Sequence, residues 1–204
     1  PISFDLAHSE LTRIAQVIKQ DKYPNADELI NDLENVAQIL HNNYQSLFVE
    51  DVNALILKVK LFQFYFAKMD IRQNSAIHAQ VVSYIFAEAN ICSDYLKLSD
   101  SERSQLLLNA FTQDILSNIK LDNVLAHEII ATIKVVGKIQ QHNGSSSVER
   151  YIISNTDSVA SVLEVLWLIN LLNQHNPQAT IILEVVPLFE TIDDLANSER
   201  IMTT

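Results

Sequence analysis

Apolar residues recur at three- and four-residue intervals through most of this chain, a spacing that places them along one face of a helix. Ser9 can cap a helix that runs to about Gln20, and Ser99 with Glu102 forms a capping box at the start of another. The clearest apolar stripe consists of Leu29, Leu33, Val36, Ala37 and Leu40. The pattern therefore predicts a mostly helical protein.

Three stretches break the helical spacing and predict strands. The first is the aromatic run near 62–70, because aromatic side chains suit a pleated surface. The second lies at 151–154, and the third is the β-branched run near 180–189. The last two enclose a very apolar helical segment and so read as a strand–helix–strand unit with parallel strands. We predict a mostly α fold with a few parallel strands, which form either a small open sheet or an arc of a larger one.

Length and composition favour one domain with long helices. The chain has 204 residues, with only two glycines and four prolines, so tight turns are few. We expect a single compact unit with an N-terminal helical segment over 1–60 and the strands within 61–204.

Charge and cysteine content exclude some partners. The net charge of −11 argues against nucleic acid and against an anionic membrane surface, since both select for Lys and Arg. The one cysteine, Cys92, fits a reducing compartment, and neither a signal peptide nor a membrane-spanning stretch is visible. We therefore expect a cytoplasmic protein with no nucleic-acid or membrane partner.

Polar side chains follow the predicted strands. Arg72 follows the first, Ser154 ends the second, and Glu190, Asp193 and Asp194 follow the third. If the strands are parallel, these ends share one rim, where α/β folds bind ligands. An Arg offers a planar fork for phosphate, and a Glu can hold a hard divalent cation.

Spacing alone also allows simpler interpretations of the same residues. Arg72 could form a surface ion pair. Glu190, Asp193 and Asp194 could occupy the first turn of a helix, where acidic residues suit the helix dipole. From position alone these interpretations are favoured over phosphate binding by Arg72 and metal binding by the acidic residues.

Four segments, in the same order, resemble phosphoenolpyruvate carboxylases. Residues 69–78, MDIRQNSAIH, resemble the D-[IV]-R-Q-E-S-x-x-H segment of that family. Residues 151–165 resemble its Y-V-I-S-M segment followed by S-D-V-L-x-V, and residues 186–195 resemble P-L-F-E-T-x-D-D-L. Residues 44–47, YQSL, are similar to an upstream Y-Q-S-L. Together the matches are specific, although any one alone would be weak.

The resemblance implies an internal fragment of a much larger enzyme. It implies a partial β/α (TIM-like) barrel arc wrapped in helices, assembled as a homotetramer. Such enzymes transfer the phosphoryl group of phosphoenolpyruvate to bicarbonate and carboxylate the resulting enolate with Mg²⁺ or Mn²⁺, giving oxaloacetate and phosphate. By match, Arg72 would be the catalytic, phosphate-contacting residue and Glu190 a metal ligand. Supporting roles are implied for Gln73, Ser154, Asp193 and Asp194.

The chain also departs from the family. Its motif positions carry Asn74, Ile77, Asn155 and Ser161 where the family has Glu, Arg, Met and Asp. The family's T-A-H-P-T-E, G-Y-S-D-S and F-H-G-R-G-G segments do not occur. We therefore expect this chain to bind no metal and to be inactive without the remainder of the same polypeptide. The alternative is a stand-alone helical interaction or scaffold module derived from the carboxylase fold without catalysis. A different metal- and phosphate-using barrel enzyme would require the four matches to be coincidental.

Overall fold

The computed structural model describes residues 4–175 and 180–203. Within these residues the fold is mostly helical, with three strands. In chain order the elements are α1 (Asp5–Lys19), α2 (Ala26–Asn43), α3 (Val49–Phe62), β1 (Met69–Asn74), α4 (Ser75–Glu88), α5 (Asp100–Ala110), α6 (Val124–Asn143), β2 (Val148–Ser154), α7 (Val159–His175), β3 (Glu184–Pro187) and α8 (Ile192–Thr203), with 3-10 turns at Tyr95–Lys97, Leu116–Asn118 and Ser145–Ser147. No helix in the described part of the chain is both long and apolar enough to cross a membrane.

The chain divides into two compact units, where the sequence analysis expects one. The first contains residues 4–68 together with His142–Ser147, and the second contains Met69–Gln141 and the described residues after 147. In the first unit the predicted stripe of α2 packs into the core, with Val36 fully enclosed and Ala37 partly buried. Asn25 caps this helix because its side-chain oxygen accepts a hydrogen bond from the Glu28 N–H at 3.0 Å.

The second unit contains a three-stranded sheet in the order β1-β2-β3, and both strand pairs are parallel. The predicted parallel strands are thus confirmed. The described residues form an open sheet, so the barrel arc remains a prediction.

The predicted aromatic strand near 62–70 is wrong over most of its length. The α3 helix continues to Phe62, and the residues after it form turns, with Phe66 at φ 63° and its side chain 77% exposed. The strand begins only at Met69 and runs through Arg72, which therefore lies within β1 and not after it. The aromatic run misleads because Phe62 and Phe66 stack on each other, with ring centroids 5.1 Å apart, instead of lining a sheet.

The other two strands differ at their ends. The β2 strand begins at Val148, three residues before the predicted start, and β3 covers only Glu184–Pro187 of the predicted 180–189. Residues 180–183 do not form a strand because side chains satisfy their backbone. The Ile181 N–H donates to Asn173 Oδ1 at 2.7 Å, and the Ile182 N–H donates to Gln140 Oε1 at 3.1 Å.

One face of the sheet packs against helices. Tyr151 and Ile153 on β2 are almost fully buried, and Ile71 and Val185 pack against the same core. The helices α4, α6 and α7 supply most of the remaining core, in which Phe86 meets Trp167 edge to face at 5.0 Å. Trp167 is fully buried in this core.

A buried carboxyl group lies in this core. Glu164 on α7 is fully enclosed, and its Oε1 accepts hydrogen bonds from the Tyr95 hydroxyl at 2.9 Å and from Arg103 Nη1 at 3.3 Å. Its Oε2 and the Arg103 Nε have no hydrogen-bond partner. Burial raises the pKa of Glu164 to about 7 from its usual 4.5, against the opposing effects of Tyr95 and Arg103.

Candidate functional site

The carboxyl ends of the three strands lie side by side, and each strand leads into a helix. The β1 strand leads directly into α4, while short loops connect β2 to α7 and β3 to α8. Parallel pairing therefore brings the residues that follow the strands to one edge, as the sequence predicted.

Arg72 lies on the sheet face opposite the helices. Its neighbour Ile71 packs into the core, so alternation along β1 directs Arg72 to the other face. Arg72 is exposed, and among the described residues nothing pairs with its guanidinium. Across the sheet it is level with Ile152 and Val186, which are both uncharged. An unpaired guanidinium at this position is available to an anion.

Glu190 lies beyond the end of β3 and is held against the end of β2. Its Oε2 accepts a hydrogen bond from the Asn155 N–H at 2.9 Å. Two backbone hydrogen bonds hold the segment after β3 against the end of β2 and the loop that follows it. The Leu188 N–H donates to the Ile153 carbonyl at 2.8 Å, and the Thr156 N–H donates to the Leu188 carbonyl at 3.2 Å. The second oxygen of Glu190 has no hydrogen-bond partner in the described part of the chain.

The two aspartates belong to the start of α8. Asp194 Oδ2 accepts from the Thr191 N–H at 3.1 Å, and the Asp194 N–H donates to Thr191 Oγ1 at 3.0 Å. This reciprocal pair is a helix cap in which Asp194 takes the usual place of Glu. Asp193 lies exposed in the same first turn, where a negative charge suits the helix dipole. Their supporting role at a site stays a prediction.

Gln73 and Ser154 lie between the strand ends. The Gln73 side-chain oxygen accepts from the Asn74 N–H at 2.8 Å, and the Ser154 hydroxyl is 3.5 Å from the Gln73 carbonyl. Both side chains thus bond to the backbone of β1. Whether they also serve a ligand is a prediction.

The open face of the sheet carries a row of charges that the sequence analysis missed. Arg150 on β2 is level with Asp70 on one side and Glu184 on the other, and its Nε is 3.8 Å from Glu184 Oε2. All three side chains are exposed. Charged residues at alternate positions of β1, Asp70 and Arg72, were the available signal, because alternation marks a strand with one uncovered face.

A buried hydrogen bond joins α4 to the sheet beneath this edge. His78 Nε2 lies 2.9 Å from the Tyr151 hydroxyl, and both side chains are almost fully enclosed. Burial lowers the pKa of His78 to about 4 and raises the pKa of the Tyr151 hydroxyl, so both groups are neutral at pH 7. The histidine is therefore packed in the core.

The four residues that differ from the motifs described above have roles in the local structure. Asn74 caps α4 by accepting from the Ala76 N–H at 2.9 Å, and Ile77 packs against the core. Ser161 Oγ lies 2.7 Å from Ser158 Oγ. Asn155 adopts φ 51°, a left-handed conformation that Asn tolerates better than most residues.

The described residues do not complete a metal site. No group of three His, Cys, Asp or Glu side chains that could hold a metal occurs among them. Glu190 offers one hard oxygen ligand, whereas Mg²⁺ prefers an octahedral set of oxygens. Further ligands would have to come from outside the described residues.

Comparison with known proteins agrees with the sequence resemblance. The family model described as phosphoenolpyruvate carboxylase matches residues 5–204. A phosphoenolpyruvate carboxylase from Prochlorococcus marinus (strain MIT 9312) is 31% identical over 205 residues, a match that covers 98% of this chain and 20% of that protein. The chain thus spans about one fifth of the length of this relative.

Proposed function

Because the chain belongs to the phosphoenolpyruvate carboxylase family, we propose that it forms part of the site at which such an enzyme carboxylates phosphoenolpyruvate with bicarbonate. The products would be oxaloacetate and phosphate. The observation that carries the proposal is the placement of Arg72 and Glu190, two motif residues distant in sequence, at one end of the same parallel sheet.

Arg72 is assigned to the phosphoryl group of the substrate. Its guanidinium is unpaired and exposed, and the uncharged Ile152 and Val186 beside it in the sheet do not compete for it. A planar guanidinium can donate two parallel hydrogen bonds to phosphate oxygens, which positions the group and offsets its charge.

Glu190 is assigned as one ligand of Mg²⁺ or Mn²⁺. One carboxylate oxygen is occupied by the Asn155 N–H, which leaves the other for a cation. A bound divalent cation would stabilise negative charge that develops on the substrate. Since one ligand cannot hold such an ion, the remaining ligands are expected from other parts of a longer polypeptide.

The uncovered face of the sheet suits the inside of a β/α barrel. Helices cover the face with Tyr151 and Ile153, whereas the opposite face carries Arg72, Arg150 and Glu184. In such barrels the helices form the outer ring, and the face away from them lines the interior. We therefore assign the three strands to an arc of a barrel.

Two measurements test this function on the chain itself. A coupled assay for oxaloacetate with phosphoenolpyruvate, bicarbonate and Mg²⁺ is expected to give no turnover, because the described residues lack a complete set of ligands. Measurable turnover would contradict the assignment of the chain as one part of the site.

The second measurement follows the arginine side-chain N–H signals by NMR during titration with phosphoenolpyruvate. The Arg72 signal is expected to shift, and the signal of Arg13, which already pairs with Asp32 at 2.7 Å, serves as the internal control. Equal responses of Arg72 and Arg13 would refute the phosphate-contacting role.

A further inference from the structure

We propose that Ser75 is a positioning residue that orients the Glu190 carboxylate through the backbone of Asn155. The three residues come from the start of α4, the loop after β2 and the segment after β3. The proposal rests on the proposed function in one respect, since that function assigns a ligand role to this carboxylate. The orientation itself is a property of the fold.

The first link is the hydrogen bond from the Asn155 N–H to Glu190 Oε2, at 2.9 Å. Glu190 is exposed, so a free side chain of this length would sample many rotamers. The hydrogen bond selects those that place the carboxylate at the end of β2. The direction of the Asn155 N–H therefore decides where the carboxylate lies.

The second link is a hydrogen bond from the Ser75 hydroxyl to the Asn155 carbonyl, at 2.6 Å. Ser75 is only 8% exposed and is the first residue of α4, three positions after Arg72. Its hydroxyl therefore lies at the start of the helix that directly follows the strand with Arg72. One short segment thus carries Arg72 and, through Ser75, also positions Glu190.

The conformation of Asn155 makes this second bond important. The residue has φ 51°, in the sparsely populated left-handed region, and such a conformation persists when its surroundings hold it. Ser75 holds the carbonyl side of the residue and Glu190 meets the N–H side. Without the Ser75 hydroxyl, the peptide between Asn155 and Thr156 is held only on its N–H side, by the bond to the Leu188 carbonyl. Asn155 can then relax, and its N–H can turn away from the carboxylate.

The neighbouring backbone bonds limit the effect to this residue. The bonds between Leu188 and Ile153 and between Thr156 and Leu188 do not involve Ser75, so they keep the two loops together when its hydroxyl is removed. A substitution at Ser75 should therefore change the orientation of the carboxylate while the fold stays intact.

The first test measures the Asn155 amide by NMR in the 204-residue chain. In Ser75→Ala the amide proton is expected to move upfield and to exchange about fivefold faster, the factor that corresponds to a hydrogen bond worth about 1 kcal/mol. Glu190→Ala removes the acceptor and should move the same signal in the same direction. Ser75→Thr keeps a hydroxyl and should resemble the unsubstituted chain.

The matched control is Ser83→Ala, a substitution on the same helix at a serine whose side chain makes no hydrogen bond with the described residues. It should leave the Asn155 amide unchanged. If Ser75→Ala matches Ser83→Ala in shift and exchange, or if Ser75→Thr fails to restore both, the positioning role is refuted. A general loss of folding would appear at all amides and not at Asn155 alone.

A second test separates this proposal from the proposed function. Residues 5–204 replace the matching segment of the Prochlorococcus marinus relative, and oxaloacetate formation is followed at increasing Mn²⁺. Ser75→Ala should raise the half-saturating Mn²⁺ concentration about tenfold while the rate recovers at saturation, as expected for a group that orients a metal ligand. If Glu190→Ala leaves this activity intact while the Asn155 amide still responds to Ser75→Ala, the ligand role fails and the positioning role stands. An unchanged Mn²⁺ requirement in Ser75→Ala, with Glu190→Ala inactive, would contradict the positioning role.

Discussion

Glu164 gives the stability of this protein a specific dependence on pH. The folded protein holds this carboxyl at a pKa of about 7, while the ordinary value is 4.5. The folded state therefore binds more protons than the unfolded state between these two values. Stability is greatest below pH 4.5 as far as this group is concerned, falls as the pH rises through 7, and is lowest above it.

The size of the effect follows from the shift. A difference of about 2.5 pKa units at about 1.4 kcal/mol each gives an effect on the order of 3 kcal/mol between pH 4.5 and pH 8. The cause is burial of a carboxyl whose Oε2 has no partner, which outweighs the Tyr95 hydrogen bond and the Arg103 charge. Glu164→Gln removes the titration while it keeps an oxygen that can accept from Tyr95.

The assay is urea unfolding at pH 5 and at pH 8, for the unsubstituted chain, Glu164→Gln and a control. The unsubstituted chain should lose about 2 to 3 kcal/mol of its free energy of unfolding at the higher pH relative to Glu164→Gln. Glu199→Gln, at an exposed position of α8, is the control and should keep the pH dependence of the unsubstituted chain. If Glu164→Gln shows the same pH dependence as Glu199→Gln, the reasoning about the buried carboxyl is refuted.

Two further predictions concern polar groups that hold elements in place. Tyr151→Phe leaves His78 Nε2 without a partner in a buried position, so it should lower the free energy of unfolding by about 1 to 3 kcal/mol, measured by thermal unfolding. The control is Tyr65→Phe, at a half-buried tyrosine in the turn after α3 whose hydroxyl makes no hydrogen bond with the described residues. Asn25→Ala removes the cap of α2 and should cost about 1 kcal/mol, whereas Asn25→Ser should restore most of it, as measured by urea unfolding. A loss of the same size in Tyr65→Phe, or no loss in Asn25→Ala, would contradict these assignments.

Local patterns predicted the helices well, except at the start of α1. That helix begins at Asp5, so Ser9 lies inside it and does not cap it. The α2 stripe packs into the core as its spacing indicated, and the capping box at Ser99 and Glu102 is present. Both signals lie within one or two helical turns, where sequence spacing determines which side chains meet.

The strands were harder to place because burial, and not propensity, decides them. The β1 strand contains Asp70 and Arg72 and is polar because one of its faces is uncovered, while the more apolar aromatic run before it forms a helix end and turns. Residues 180–183 look like a strand, but Asn173 and Gln140 satisfy their backbone instead.

The sequence indicated candidate site residues but not the contacts around them. Motif resemblance singled out Arg72 and Glu190, and parallel strands were enough to expect them at one edge. The contacts from Ser75 to Asn155 and from Asn155 to Glu190 span 80 and 35 residues in sequence, and the second uses a backbone N–H. No local pattern encodes such contacts, because they depend on how the strands are paired.

The central claim is that Arg72 and Glu190 belong to a phosphoenolpyruvate carboxylase site. The most direct test is the rate of oxaloacetate formation by the matched relative carrying residues 5–204 of this chain, compared with the same protein bearing Glu190→Gln or Arg72→Lys. We expect each substitution to lower the rate about a hundredfold or more, which is the usual cost of removing one charge-stabilising group from an active site. Glu199→Gln should leave the rate unchanged. Rates in Glu190→Gln and Arg72→Lys equal to that of Glu199→Gln would contradict it.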